Sequence, residues 1–491
     1  MPRARFACNV AGNPPGPGRR VRPRTPRPPP DAGRGGRRRA RAPAVRHHGA
    51  ILGPVNAGRR SGAPGSRNPE GRRTAIAREG RVRMGYQIVD VDLCRPLPEV
   101  RLRPDQTGIG LLARWHGRPV GFVMQSRPAG ATLSPAELEA LASQRFALEL
   151  LRLRAEQALA PRWGRAEPPA PVSLTVAICT KDRAVRLRRL LASLDALCAG
   201  SRFAELEILV VDNASVDAST REAVAAFPGM RYVHEARTGL DFARNAALRA
   251  ARGRLLAFLD DDVVVDPHWL DGLHTVWSEC PDAGGFSGLV LPYRLDTHAQ
   301  IAFEHFGGFG RGFARIHHSP VKQGNRLFPV GVGVVGAGCN MCFDRDLLLR
   351  LGGFDEALDT GAPLPGGGDL DIFYRVLRSG RRIVYEPRYA VFHEHRETLP
   401  QLRRQYWTWG LGFMAFLVKS RRSDAAMSDK HTDMVRWWFA HQLHTLWGAV
   451  THLHLQHARF VLAELRGGVQ GLLGEYDRSL RRSQVIRERA A

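Results

Sequence analysis

Between residues 174 and 260 the chain alternates short, uninterrupted apolar runs with stretches of helical periodicity. This alternation restricts the fold more than any other feature. LTVAIC (174–179), LEILVV (206–211) and RLLAFL (254–259) are long enough for strands and apolar on both faces. Such strands need cover on both sides, which a parallel sheet obtains from helices. Between them, Leu187, Leu190, Leu191 and Leu194 recur at helical spacing, 217–227 reads as a short helix, RYVHE as another strand and LDFARNAALRAA as another helix. The expected fold is α/β: a mostly parallel sheet with helices on both faces, whose ligands bind beyond the carboxyl ends of the strands.

Polar clusters stand where such a sheet would place a site. Thr180-Lys181-Asp182-Arg183 follows the first strand, Asp212-Asn213 the second, and Asp260-Asp261-Asp262 the fourth; Gly366-Gly367-Gly368-Asp369-Leu370-Asp371 enters a later helix. Any one alone reads equally well as turn or cap chemistry. The aspartate triplet is the sharpest, because three like charges packed after a buried strand call for a compensating cation. Hard carboxylate oxygens suit Mg²⁺ or Mn²⁺, which bind through one or two carboxylates together with substrate phosphates.

In this order, VAICTKDR, ILVVDNAS, GLDFARNAAL, FLDDD, GAGCNM, LGGFDE and GGGDLD resemble the inverting, GT-A-fold nucleotide-sugar glycosyltransferases of family 2, the large family that includes cellulose and hyaluronan synthases. The resemblance covers roughly 172–396. It implies a donor pocket lined by Thr180, Asp182, Arg183, Asp212, Asn213, Gly239, Arg244, Asn245, Asp260 and Asp261. It also implies a Mn²⁺ or Mg²⁺ site built from Asp260, Asp262 and a histidine. His393 is preferred, as the first residue after the strand YAVF, with His395 or neither as alternatives. The family's general base maps onto Asp369. The residue before it is Gly368, where the family carries an acid, and this leaves Asp371 as a substitute; Asp369 also reads simply as a helix N-cap. The implied activity is non-processive, inverting transfer of a sugar to a glycan, lipid-linked or other hydroxyl acceptor. A processive synthase is disfavoured because Gln405-Tyr406-Trp407-Thr408-Trp409 lacks the arginine of that group's Gln-x-x-Arg-Trp motif. A catalytically silent sugar-nucleotide-binding protein is the alternative.

The rest of the chain divides into a basic segment (1–83), a small α+β unit (84–160) and a helical C-terminal extension (397–491). Of the +25 formal charge, +18 sits in the first 83 residues, which carry 21 arginines, three acidic residues and one leucine. Such a composition cannot form a core and is expected to be disordered. The preferred reading is an upstream extension of the reading frame before Met84. A lipid-binding tail comes second, and nucleic acid is an unfavoured partner. LLARWHGRPVGFVM reads as two strands about a turn at His116-Gly117, and Ser134-Pro135-Ala136-Glu137 opens a helix to about 158. Seven scattered cysteines point to a reducing, cytoplasmic setting. Cys339 and Cys342 read as buried thiols on a strand at GAGCNMCF. QYWTWGLGFMAFLV is too short to span a bilayer; it is expected as a core helix, with peripheral contact at the inner membrane surface as the alternative.

Overall fold

The computed structural model describes residues 85–159, 171–322, 324–361 and 364–490. The basic segment 1–83, Met84 and most of the expected linker at 160–172 lie outside the described residues.

A first sheet is built from β1 (Gly85–Asp92), β3 (Gln106–Trp115) and β4 (Arg118–Ser126), with the short pair β2 (Val100–Arg101) and β5 (Thr132–Leu133) beside it. β3 and β4 form the expected hairpin, and positive φ at both His116 and Gly117 gives it a turn matched to the strand twist. Helix α1 (Pro135–Leu159) packs across it through Leu138, Leu141 and Phe146.

The nine-stranded sheet consists of β6 (Ser173–Thr180), β7 (Glu205–Asn213), β8 (Arg231–Glu235), β9 (Leu255–Asp260), β10 (Val263–Val265), β11 (Gly285–Pro292), β12 (Ile316–His318), β13 (Asn340–Asp344) and β14 (Ile383–His393). Its order is β10-β14-β11-β13-β9-β6-β7-β8, with β12 also on β14. Strands β6, β7, β8, β9, β11 and β14 run one way and β10, β12 and β13 the other. Helices in chain order are α2 (Ala184–Cys198), α3 (Ser219–Ala225), α4 (Leu240–Ala250), α5 (Trp269–Glu279), α6 (His298–His305), α7 (Arg345–Arg350), α8 (Gly368–Arg378), α9 (Leu399–Ser423), α10 (Ser428–Thr451), α11 (Leu455–Gln470) and α12 (Tyr476–Ala490).

Alternate residues of β6 enter opposite cores, as the pleat requires. Val176 and Ile178 meet the leucines of α2 and Trp269 of α5, while Ala177 packs with Ala243 and Ala247 of α4, Phe373 of α8 and Phe413 of α9. The apolar stretch at 405–418 is therefore part of a core helix, with Leu411, Met414, Ala415 and Phe416 fully buried. Among the described residues no helix is long and apolar enough to cross a membrane. The strand expected at GAGCNMCF is shorter than predicted: residues 336–339 form a loop, and pairing begins at Asn340. Cys339 and Cys342 are free, buried thiols, and burial raises the pKa of both.

The first sheet docks on the second. Tyr86 N donates to Leu295 O at 2.7 Å, Leu112 packs with Leu289, Leu291 and Tyr385, and buried Arg114 bridges Asp90 and Asp266, each at 2.6 Å.

Candidate functional site

The carboxyl ends of β6, β7 and β9 lie side by side, with Thr180 opposite Asp212 and Cys179 opposite Asp260. They open onto a cavity of about 670 Å³. Thr180, Asp182, Arg183, Asn213, Gly239, Arg244, Asp260, Asp261, Asp262, Asp369 and His393 all border it, so most of the residues singled out in the sequence meet at one place.

Three do not. Asp212 lies behind the wall, accepting from Tyr232 Oη at 2.7 Å and from Ser215 N at 3.1 Å. Asn245 pins the LGGFDE loop: its Oδ1 accepts from Phe354 N at 2.8 Å, and its Nδ2 donates to Phe354 O and Glu356. Asp371 is wholly buried in an ion pair with Arg375 at 2.7 Å and Lys419 at 2.5 Å. It points away from the cavity and does not stand in for Asp369. Nor is Asp369 the N-cap of α8; Gly367 occupies that position, and Asp369 lies in the first turn with its Oδ2 accepting from Gly338 N at 3.1 Å.

The departure at Gly368 has a steric cause. A Cβ at 368 would lie 2.0 Å from Asp241 Oδ2. The space that a side chain before Asp369 would fill is thus taken by a carboxylate arriving from α4. Asp241 is fully buried; burial raises its pKa to about 7, against the pull of Arg244 at 3.0 Å. Arg244 also faces Asp359 at 3.6 Å and Asp260 at 3.9 Å. The sequence reading missed Asp241, Asp359 and Arg396. All three stand in or beside the quoted motifs, but no spacing rule separates them from ordinary turn and cap residues.

The aspartate triplet splits by partner. Asp261 turns inward, accepting from Thr180 Oγ1 at 2.7 Å and Arg183 at 2.9 Å. Burial first, then Asp262 and Asp261, raise the pKa of Asp260 to about 7, with Arg244 opposing. Asp262 faces Arg183 at 3.7 Å, Arg396 at 3.8 Å and His393 Nε2 at 3.4 Å. Its Oδ1 is buried without a hydrogen-bond partner among the described residues. Behind it runs a chain of contacts: His393 Nδ1 lies 3.0 Å from His395 Nδ1, and His395 Nε2 lies 2.7 Å from Glu304 Oε1. The tautomers that satisfy every contact put a proton on Nε2 of His395 and on Nδ1 of His393. The lone pair at His393 Nε2 then faces Asp262. Burial keeps His393 neutral by lowering its pKa well below the usual value.

An orphaned carboxylate oxygen beside an imidazole lone pair fits a divalent ion. Asp260 does not complete a three-residue set, because it faces Arg244; among the described residues no three such side chains converge on one point. Asp262 and His393 would supply two ligands, leaving the others to substrate and water. The alternative ligand His395 is excluded geometrically, since both its nitrogens already have partners.

Next to this centre Glu394 is clamped by Arg186, Arg189 and Arg294, and although burial acts to raise its pKa, Arg186 and Arg189 hold it at about 2. On the far side the cavity is walled by Phe309, Trp409, Phe413, Trp438 and Glu464, from the helical region and the loop after α6. Two histidines of the helical region pack on aromatic rings: His457 stacks on Phe306 and His441 on Trp437.

Fold and site together form an α/β module with an acidic centre at the end of a mostly parallel sheet. Residues 175–297 match the family model described as "Glycosyl transferase family 2", and residues 255–465 match "Glycosyl transferase family group 2". The chain resembles the family 2 glycosyltransferases over this whole span. It is 28% identical over 345 residues to the O-antigen biosynthesis protein RfbC of Myxococcus xanthus, covering 66% of this chain and 25% of that one. It is also 28% identical over 238 residues to the pre-mycofactocin glycosyltransferase of Mycobacterium tuberculosis, covering 47% and 44%. The chain thus spans a quarter to under half the length of these two relatives. Among solved structures, the mannosyltransferase PcManGT from Pyrobaculum calidifontis, in complex with GDP-Man and Mn²⁺, aligns with a TM-score of 0.41 at 19% identity, covering 68% of this chain and 97% of that one.

Proposed function

We propose that the protein is a metal-dependent, inverting, non-processive glycosyltransferase that moves a sugar from a nucleotide diphosphate to a hydroxyl acceptor in polysaccharide, glycolipid or O-antigen synthesis. The observation that carries this reading is the unpartnered, buried Oδ1 of Asp262 facing His393 in the same cavity that Asp369 borders. The family resemblance and the RfbC likeness support the substrate class.

Asp262 and His393 would hold Mn²⁺ or Mg²⁺, which supplies Lewis-acid stabilisation of a departing diphosphate. Thr180, Asp182, Asn213 and Gly239 would shape the nucleotide end. Asn213 fixes that end by accepting from Gly239 N at 2.8 Å and donating to Arg237 O at 2.7 Å. Arg183 and Arg396 stand at the carboxylates, where guanidinium groups stabilise phosphate charge. Asp369 would take the proton from the acceptor hydroxyl; Gly338 N steadies its Oδ2 and Leu370 N its Oδ1, and its partial exposure leaves each oxygen a further lone pair for an incoming donor.

A thermal-shift screen of nucleotide sugars with Mn²⁺ tests the donor, which should stabilise the fold by mass action. Asp369→Asn should keep the shift while lowering transfer by about 10²–10⁴-fold, the usual size of a general-base contribution. Wild-type transfer in that variant would remove Asp369 from the role, and an unchanged anomeric configuration in the product would remove inversion.

A further inference from the structure

We propose that the hairpin of α10 and α11 is a docking face for an anionic lipid bilayer. The stretch expected to offer a membrane contact, 405–418, is buried, and the exposed apolar surface lies further along the chain. On α10, Arg436, Ala440, Leu443, Trp447 and Val450 follow helical spacing and are all exposed, Trp447 by 70%. On α11, Leu455, Arg459, Leu462, Arg466 and Val469 do the same. The turn between the helices carries Leu453, 80% exposed, flanked by exposed His452 and His454. A single exposed leucine needs no explanation, but two continuous stripes joined at one tip do.

Charge decides the occupant. From residue 434 to 476 the only carboxylates are Glu464 and Glu475, and both are buried. At the base of α10 Asp429 is exposed and Asp433 lies 3.6 Å from Arg436, whereas over the tip-ward part of the hairpin, residues 437 to 470, the exposed formal charges are Arg459 and Arg466. Leucine and tryptophan set beside these two arginines, with no exposed acid between 437 and 470, match a surface that is negative outside and apolar beneath. Tryptophan and leucine would enter the headgroup boundary while arginines meet phosphates. The same helices place Trp438 and Glu464 at the cavity, so this attachment would bring lipid-linked acceptors to its mouth. That last step rests on the proposed sugar transfer; the membrane contact itself does not.

The test uses the full chain with vesicles of phosphatidylcholine, with and without phosphatidylglycerol, read by flotation and by hydrogen exchange across 443–473. Binding should require phosphatidylglycerol and should protect those amides. The double variants Trp447→Ser/Leu453→Ser and Arg459→Glu/Arg466→Glu should each lower the bound fraction about tenfold or more, given the size of the apolar and charge contributions removed. Donor-induced thermal shifts should be unchanged in both, which separates failure here from failure of the sugar-transfer reading. Undiminished binding by the variants would assign lipid affinity to another region, such as the arginine-rich segment, and overturn the proposal. So would conversion of a lipid-free dimer to a monomer by Trp447→Ser/Leu453→Ser in sedimentation velocity, which would make the face a protein interface.

Discussion

The two ends of the cavity are built from different materials. The strand-end side is a network of charged and polar groups: Asp260, Asp261, Asp262, Arg183, Arg244 and His393 face one another, with Asp241 buried behind Arg244. The helical side is aromatic, with Trp409, Phe413 and Trp438, and its carboxylate Glu464 has no cation beside it among the described residues. Charges in fixed places suit a ligand of constant chemistry, such as a diphosphate, whereas aromatic faces accept many shapes. A chain can therefore change what it modifies at one end while preserving the transferred group's handling at the other.

The contrast can be broken at four points. The largest effect should come from Asp262→Asn, which removes the orphaned carboxylate charge facing His393. Mn²⁺ affinity measured by calorimetry should fall by more than about 100-fold, because loss of a ligand exceeds the roughly 10–100-fold cost of losing a ligand's partner. Glu304→Gln tests that partner. It takes the negative charge off the acceptor at the end of the His395–His393 chain while leaving the cavity wall intact, and should weaken Mn²⁺ binding by about 10–100-fold without changing the melting temperature much. Equal Mn²⁺ affinity in wild type and this variant would show that the chain is only packing.

Gly368→Ala comes next. The added methyl meets Asp241 Oδ2 at 2.0 Å, and overpacking of this kind costs about 1–3 kcal/mol, measurable by denaturant unfolding. The smallest effect belongs to the aromatic end. Burial raises the pKa of Glu464 to about 8, with Gln442 pulling weakly the other way. A raised carboxyl favours the folded state only while protonated; the stability it contributes is full below the unfolded value near 4.5 and is lost as pH rises toward 8. Glu464→Gln should therefore match the wild type at pH 4 and melt higher at pH 8. A constant difference across that range would place the ionisation elsewhere.

How much of this was legible in the sequence follows the same divide. Strands β6, β7 and β9 announce themselves because both faces of their central residues are buried, so those centres are apolar, and the acids at their ends could be read as a site. Asp260 and Asp262 were located this way, but not their separate partners. That Asp260 turns to Arg244 depends on the approach of α4, which no local pattern records. Asn245 and Asp212 carry the right chemistry at the right spacing yet serve as braces one layer back. Gly368 shows the limit most clearly: the position lacks the expected acid, while a carboxylate from 127 positions earlier fills the space its side chain would take. The helical wall was unreadable, because a tryptophan facing a cavity and one facing a core sit in identical helical patterns.

The ion pair between Arg114 and Asp266 has a consequence for handling the molecule. Asp266 is completely buried at the entrance to α5, and Arg114 is the cation beside it, reached from the first sheet. A recombinant fragment started at residue 172 would keep every cavity residue and still strand that carboxylate among apolar neighbours, an expensive loss. The shortest fragment worth expressing therefore starts near residue 85. By the same reasoning, a protease that cuts between 160 and 170 should yield two pieces on a denaturing gel that elute together from a sizing column.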